Sequence, residues 1–217
     1  MRFRLLLISI GLILVVGTWT FPFWYPLLPR GDGVQQELFP GLAPALQAAF
    51  GVLPVDQQQA YLTLRETEPE NALAMVSAAL SLPATAPPEE AEMPEMVGST
   101  IAAQGGLRGV DAIRSAAGDV TIYQVADGSW VLRLENFSMT NGPDLRVALS
   151  TNPNPLTLEE LRQENLDVDV GTLKGVTGNQ NYTIPAEIDV REYRSVVIYN
   201  ADLPLIYATA TLFILSF

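Results

Sequence analysis

Short β-like runs dominate the chain from Val97 onward, and this pattern most constrains the fold. The runs are apolar, β-branched or alternating, and Gly, Pro, Asn and Asp separate them. Short strands at this spacing predict a mainly β domain, an antiparallel β-sandwich or barrel. The predicted strands are Gly106–Ile113, Val120–Val125, Trp130–Phe137, Leu145–Ser150, Val168–Leu173, Tyr182–Ile184, Ser195–Ala201 and Leu205–Leu215.

Local signals add detail to this β domain, residues 97–217. Asp127-Gly128 lies between two alternating runs and predicts a hairpin with a type I′ turn. Thr157 is suited to cap one short helix that reaches Asn165. The last run, Leu205–Leu215, is so apolar that we expect one central strand buried on both faces.

The first 29 residues contain a long apolar run that predicts export and membrane insertion. Arg2 and Arg4 precede a run from Leu5 to Phe21. A helix this long rises about 25 Å, or about 36 Å if it reaches Leu28, against a hydrocarbon core of about 30 Å. The arginines favour a cytoplasmic N-terminus, so we expect a single-pass anchor with an extracytoplasmic C-terminal domain. A signal peptide cleaved after Gly17, giving a secreted protein, is the alternative.

Residues 30–82 follow as a predicted juxtamembrane helical segment. A first helix spans about Leu42 to Phe50, and capping boxes at Asp56 and Thr67 predict two more. Along the last helix one face is apolar, with Leu73, Val76, Ala79 and Leu80. Helices this short need a partner surface, so we expect either a spacer folded on the following domain or a docking hairpin for another protein.

Residues 83–96 are rich in proline and glutamate and carry no basic residue. The stretch Pro83–Glu95 contains four prolines and four glutamates. Charge repulsion and proline predict an extended, solvated linker that does not pack.

The composition excludes most familiar catalytic chemistry. The 217 residues include no cysteine and no histidine. This removes thiolate nucleophiles, Ser-His-Asp triads, thiolate or imidazole zinc sites and histidine-ligated haem. Asp167 and Asp169 alternate along a predicted strand, a pattern typical of a solvated face. We therefore expect no enzyme activity, cofactor or metal site.

The charge of the chain argues against nucleic acid as a partner. The formal net charge is −12, with 24 acidic and 12 basic side chains. The basic residues are scattered, whereas phosphate binding needs a basic patch or stripe.

Several phrases occur in the order and spacing of a known family. They are Leu134-Glu-Asn-Phe137, Asn141-Gly-Pro-Asp-Leu145, Gly171-Thr-Leu-Lys-Gly175, Gly178-Asn-Gln-Asn-Tyr182 and Tyr193-Arg-Ser-Val-Val-Ile-Tyr199. Together they resemble the DM-thirteen domain family over about residues 98–215. The resemblance implies a small extracellular β module, found beside DOMON domains and in membrane-anchored secreted proteins, and a role in electron transfer.

One departure from the family concerns this implied electron transfer. Family members commonly have a cysteine after the Val-Val-Ile strand, and the redox role rests on it. The corresponding residue here is Asn200. An amide cannot exchange electrons or bind a soft metal, so a cysteine-based mechanism is excluded for this chain. We expect the Asn200 amide to satisfy hydrogen bonds near the strand end.

The family phrases supply the candidate binding residues. We expect two segments to form the walls of one binding site for a small ligand or a protein partner. The first is the turn of Asn141, Gly142, Pro143 and Asp144. The second is the loop that carries Lys174, Gly175, Gly178, Gln180 and Tyr182. We expect positive φ angles at the loop glycines, which also let a ligand approach the backbone. The alternative is structural: Lys174, the only lysine, pairs with Asp144 or a neighbouring carboxylate, and Gln180 binds loop backbone.

These observations together predict a membrane-anchored extracytoplasmic protein. Its β domain would bind a protein partner or a small ligand without catalysis. Participation in extracytoplasmic electron transfer is the alternative.

Overall fold

The computed structural model describes residues 37–94, 98–162, 167–200 and 202–215. The predicted anchor at residues 1–29 lies outside them. Among the described residues, no helix has the length and apolarity needed to cross a bilayer. Phe39–Phe217 forms one compact unit, to which all the elements below belong.

Within the described residues, three helices precede the β domain and a short one interrupts it. The helices are α1 Pro44–Val52, α2 Val55–Thr67, α3 Pro69–Ala79 and α4 Leu158–Leu161. The strands are β1 Thr100–Gly109, β2 Ala116–Gln124, β3 Trp130–Met139, β4 Leu145–Ser150, β5 Val168–Thr172, β6 Gln180–Ile184, β7 Ser195–Asn200, β8 Leu205–Thr211 and β9 Phe213–Ile214. Single turns of 3₁₀ helix occur at Pro88–Glu90 and Val190–Glu192.

The strands form one antiparallel sheet with the order β5-β4-β7-β8-β1-β2-β3-β6, and β9 pairs with β1 off this path. The two end strands, β5 and β6, approach each other, so the sheet curves into a barrel-like shape. The predicted mainly β, antiparallel fold is confirmed in this barrel-like form. Closure of this kind protects sheet edges from pairing with other chains.

One hydrophobic core joins the helices to the sheet. Ile122, Leu132 and Ile198 from the strands belong to the same buried cluster as Phe50 from α1 and Met75 from α3. Full burial of such side chains contributes about 1.5–3 kcal/mol each. The helices therefore pack on the β domain and share its core.

Both predicted capping boxes are wrong. Asp56 lies within the first turn of α2, whose N-cap is Pro54, and α3 begins at Pro69 after Glu68. Neither helix has a side-chain hydrogen bond at its N-cap. Proline has a φ suited to a helix start and no N–H to satisfy, so these prolines begin the helices in place of a capping side chain. Thr157, in contrast, caps α4 as predicted by accepting from Glu160 N.

The first strand starts and ends earlier than the predicted Gly106–Ile113. β1 ends at Gly109, where Val110 N donates to Arg114 O. The Asp111 carboxylate accepts from the backbone N–H of Ile113 and Arg114. This side-chain-stabilised turn replaces the end of the predicted strand, because Asp readily binds backbone N–H groups just ahead of it.

The predicted last strand is divided into two. β8 is central, between β7 and β1, as expected. Leu212, which lies between β8 and β9, still donates its N–H to Arg194 O on the β7 side, and β9 pairs with β1 in the same register as β8. Leu212 is buried but Phe213 is 70% exposed, so the expectation of burial on both faces is wrong at Phe213.

The Asp127-Gly128 hairpin is present, but its turn is not type I′. Gly128 has φ 88°, whereas Asp127 does not have the positive φ that type I′ requires. Gly128 N donates to Val125 O, and Val125 N donates to Ser129 O. This is a type I turn followed by a glycine bulge, stabilised by the Asp127 carboxylate accepting from Ser129.

Candidate functional site

The Pro/Glu-rich segment packs against the β domain along the loop that carries Lys174. Ala86 is buried, its N–H donates to Thr177 O, and Val176 N donates to Ala84 O. The expected solvated linker is therefore not observed between Ala84 and Glu92, a stretch that we call the strap. Its proline-rich backbone finds partners on the neighbouring loop, which outweighs charge repulsion among its glutamates.

Lys174 holds the strap through Glu90. Its Nζ lies 2.7 Å from Glu90 Oε1, donates to Asn181 O at 2.6 Å and lies 5.0 Å from the centre of the Tyr182 ring. The expected ion pair thus forms with a carboxylate of the strap and not with Asp144. Partial burial raises the pKa of Glu90, but hydrogen bonds from Lys174 and Asn181 outweigh it and hold that pKa below its ordinary value.

Arg133 provides a second attachment for the strap. Its side chain is only 3% exposed and its Nε pairs with Glu135 at 2.9 Å. The guanidinium also donates to Ala91 O at 3.0 Å, Glu92 O at 3.2 Å and Asn181 Oδ1 at 2.7 Å. A buried charge needs such partners, so the strap carbonyls are part of what allows Arg133 to lie inside the domain.

Gln180 organises the loop beneath Lys174. Its side chain is fully buried, with Oε1 accepting from Lys174 N at 2.9 Å and from the Tyr182 hydroxyl at 2.8 Å. Its Nε2 donates to Gly175 O at 2.7 Å. Burial raises the pKa of Tyr182, whose hydroxyl stays protonated and serves as a structural donor.

The loop glycines serve two different purposes. Gly171 and Gly178 have φ of 139° and 94°, as expected, which L side chains rarely adopt. Gly175 does not have a positive φ. A Cβ there would lie 2.6 Å from the backbone carbon of Thr85, so Gly175 is required for the strap to approach closely.

The Asn141–Asp144 turn is fixed by its own polar side chains. Asn141 Oδ1 accepts from Gly142 N at 3.0 Å, and Asn141 Nδ2 donates to Ala78 O at the end of α3, also at 3.0 Å. A Cβ on Gly142 would lie 2.6 Å from the Tyr207 ring. Asp144 has φ 41°, a strained value for a non-glycine residue.

Asn200 holds the same turn from the end of β7. It is fully buried, and its Nδ2 donates to Pro143 O while its Oδ1 accepts from Leu203 N. Both ends of the amide therefore bind backbone, across two separate turns. A thiol could not supply this donor and acceptor pair with the same strength, which makes Asn200 suited to a structural role.

The two predicted walls meet around one small cavity of about 220 Å³. Asn141, Gly142 and Asp144 line it on one side and Gly175 on the other. The remaining candidates do not line this cavity: Pro143, Lys174, Gly178, Gln180, Tyr182 and Asn200. Ala84 of the strap adds a third wall that the sequence did not predict.

Two residues that sequence reasoning missed shape this region, Glu90 and Arg133. The signal for Arg133 was present, because it is the only charge in the apolar run Trp130–Leu134. A charge in a buried strand requires partners, although the sequence does not say where they lie. Glu90 has no such signal, since its neighbours Glu89 and Glu92 resemble it.

Comparisons with known proteins relate part of this domain to one family. No curated protein and no solved structure matches the chain. Residues 110–212 match the family model described as "Electron transfer DM13". Residues 110–212, from the turn after β1 to Leu212, are therefore similar to a DM13 domain.

Proposed function

We propose that this chain is a membrane-anchored extracytoplasmic protein whose DM13 domain binds a small ligand or a segment of a protein partner without catalysis. The anchoring part rests on the apolar run Leu5–Phe21 behind two arginines. The binding part rests on one observation: the two family phrases that sequence reasoning chose as walls line a common cavity.

The cavity has the chemistry of a selective binding site for a small group. Gly142 and Gly175 expose backbone to it, and Asp144 brings a carboxylate that is accessible to solvent. Asp144 holds a strained φ of 41°, and strain of this kind occurs often at ligand-binding and catalytic sites. At about 220 Å³ the cavity fits one side chain or a small cationic or hydrogen-bonding molecule.

Electron transfer is the second candidate function, favoured by the family name "Electron transfer DM13". At the position where the resemblance implies a cysteine, this chain has Asn200, whose side-chain amide hydrogen-bonds to the backbone of two turns. Electron transfer by this chain would therefore need a cofactor or a redox partner that supplies the chemistry.

Two measurements on the full-length chain separate these functions. The first is an absorption spectrum and a cyclic voltammogram, and the second is capture of partners from membranes of the source cell. A colourless, redox-silent protein that retains a partner supports binding. A reversible voltammetric wave contradicts it.

Substitutions then locate the binding. Ala84→Trp places a large side chain at the cavity from an exposed strap position, and Asp144→Asn removes the carboxylate. Leu82→Trp is the matched control, since Leu82 is 94% exposed and does not line the cavity. We expect Ala84→Trp and Asp144→Asn to lose the partner and Leu82→Trp to keep it. Equal retention by all three would exclude this cavity as the site.

A further inference from the structure

A second, larger cleft lies away from the family phrases, where the helices meet the turn after β1. Its volume is about 440 Å³, within the range of small-molecule sites. The lining residues come from α2, α3, this turn and the start of β8: Ala60, Thr63, Leu64, Thr67, Met75, Asp111, Ala112, Ile113, Arg114 and Leu205.

The inner part of this cleft is apolar and already formed. Met75 and Ile113 are 2% and 5% exposed and belong to the core, and Leu64 and Leu205 pack against it. An unbranched methionine at such a surface can adapt to ligands of different shape. The cleft therefore offers a preformed apolar surface that a ligand could bury without rearranging the core.

Hydrogen bonds hold the turn that forms one side of the cleft. Asp111 accepts from two backbone N–H groups of its own turn and from Arg114 Nε at 2.9 Å. Arg114 Nη1 donates to Ile206 O in β8 at 2.7 Å. The Arg114 bond fixes the turn to β8, so the turn does not close the cleft by packing its apolar side chains on α2.

The polar edge of the cleft carries no unbalanced charge but has spare donors. Arg114 pairs with Asp111, with Nη2 and Oδ2 at 2.5 Å, which neutralises both groups. A guanidinium has five N–H donors, and Asp111 and Ile206 engage only three of those on Arg114. The Thr63 hydroxyl lies at the exposed edge of the cleft.

From these features we propose that the cleft binds a small, neutral, largely apolar molecule that carries a hydrogen-bond acceptor. Its apolar body lies against Leu64, Met75 and Ile113. Its acceptor, a carbonyl or hydroxyl oxygen, takes a hydrogen bond from Arg114 or Thr63. An anionic ligand is disfavoured because the Asp111–Arg114 pair leaves no net positive charge at this edge to offset the loss of the ligand's hydration. The site shares no lining residue with the 220 Å³ cavity at Asn141–Asp144 and does not depend on it.

Photolabelling of the full-length chain tests this site. The probe is an alkyl diazirine with a terminal hydroxyl group, irradiated with the protein in membranes, and mass spectrometry identifies the labelled peptides. We expect saturable labelling of α2 and of the turn Val110–Ser115. Labelling spread over the surface without saturation would overturn the proposal.

Matched variants show whether the label reports the cleft. Ala60→Trp fills it from α2, while Gln59→Trp adds the same side chain at an exposed neighbour that does not line it. We expect at least about a fivefold loss of labelling in Ala60→Trp and none in Gln59→Trp. If Ala60→Trp fails to fold by circular dichroism, Thr63→Trp at the exposed edge replaces it. Equal labelling of the folded cleft variant and Gln59→Trp would refute the site.

The charge of the preferred ligand has its own test. A diazirine probe of the same length with a terminal carboxylate should label the wild-type cleft several-fold more weakly than the hydroxyl probe. Stronger labelling by the carboxylate probe would refute the proposed neutral ligand.

Discussion

The substitution Glu90→Gln tests how strongly the contact with Lys174 holds the strap. Glutamine keeps the size of the side chain and one acceptor oxygen, but it removes the charge that faces Lys174. In the wild-type protein Glu90 Oε1 lies 2.7 Å from Lys174 Nζ, and Glu90 Oε2 accepts from Asn181 N at 2.9 Å. The substitution therefore removes the charge together with one of the two acceptor oxygens of this contact.

The expected magnitude follows from the exposure of the two side chains. Lys174 is 34% exposed and Glu90 is 17% exposed. Exposed ion pairs contribute about 0.2–1 kcal/mol, while hydrogen bonds to charged groups contribute about 1.5–3 kcal/mol. Solvent screening reduces the second figure here, so we expect Glu90→Gln to lower the free energy of unfolding by about 1 kcal/mol. The Arg133 contacts keep the strap in place.

The effect should depend on pH in one direction. The pKa of Glu90 is lower in the folded protein than in the unfolded chain. The carboxylate therefore stabilises the fold fully above its unfolded pKa, about 4.3, and this contribution is lost as pH falls through the lower folded pKa. The difference between wild type and Glu90→Gln should be constant from neutral pH to about pH 6 and should shrink below about pH 4.

Urea unfolding of the full-length chain in mild detergent measures this difference, followed by the change in tryptophan fluorescence as the buried Trp130 becomes exposed. Glu89→Gln is the control, because Glu89 is exposed and makes no ion pair among the described residues. Limited digestion with a glutamyl endopeptidase reports the strap itself, which should be cut faster in Glu90→Gln. Equal stability and equal cutting of the two variants would refute the role of the Lys174 contact.

Three further substitutions test other contacts by urea unfolding. Gly175→Ala should destabilise by about 1–3 kcal/mol, because its Cβ would lie 2.6 Å from the Thr85 carbonyl carbon; an unchanged midpoint would contradict the close approach. Asn200→Ala should cost about 2–3 kcal/mol, since Pro143 O and a second backbone group lose their partner; a loss well under 1 kcal/mol would contradict this. Tyr207→Phe should be neutral or stabilising by up to about 1 kcal/mol, because the buried hydroxyl has no partner among the described residues; clear destabilisation would show a missed partner.

The periodic features of the fold could be predicted from the sequence. Alternation and turn residues located most strands of the β domain, including the central position of β8. The errors occurred at strand ends, where the contacts of single residues decide the outcome. β1 ends where Val110 N–H donates to Arg114 O, in a turn that the Asp111 carboxylate stabilises. Such a local choice leaves no periodic signal in the chain.

The candidate site was predicted in part for the same reason. The family phrases brought Gly142, Asp144 and Gly175 to one cavity, as turns with special backbone geometry do. The partner of Lys174 could not be predicted, because Glu90 is distant in sequence and lies in a segment whose composition indicates disorder. Composition describes how a segment behaves alone, whereas the strap is ordered by the loop that it contacts.

The strand order limits how this domain can be treated as a transferable module. The family match begins at residue 110, after β1 has ended at Gly109. Yet β1 lies in the middle of the sheet, between β8 and β2. A fragment cut at the boundaries of the match would open the sheet into two separate halves with two new unpaired edges, which are prone to aggregation. The smallest portable unit must therefore start before Thr100, and grafting the matched residues alone into another protein should fail.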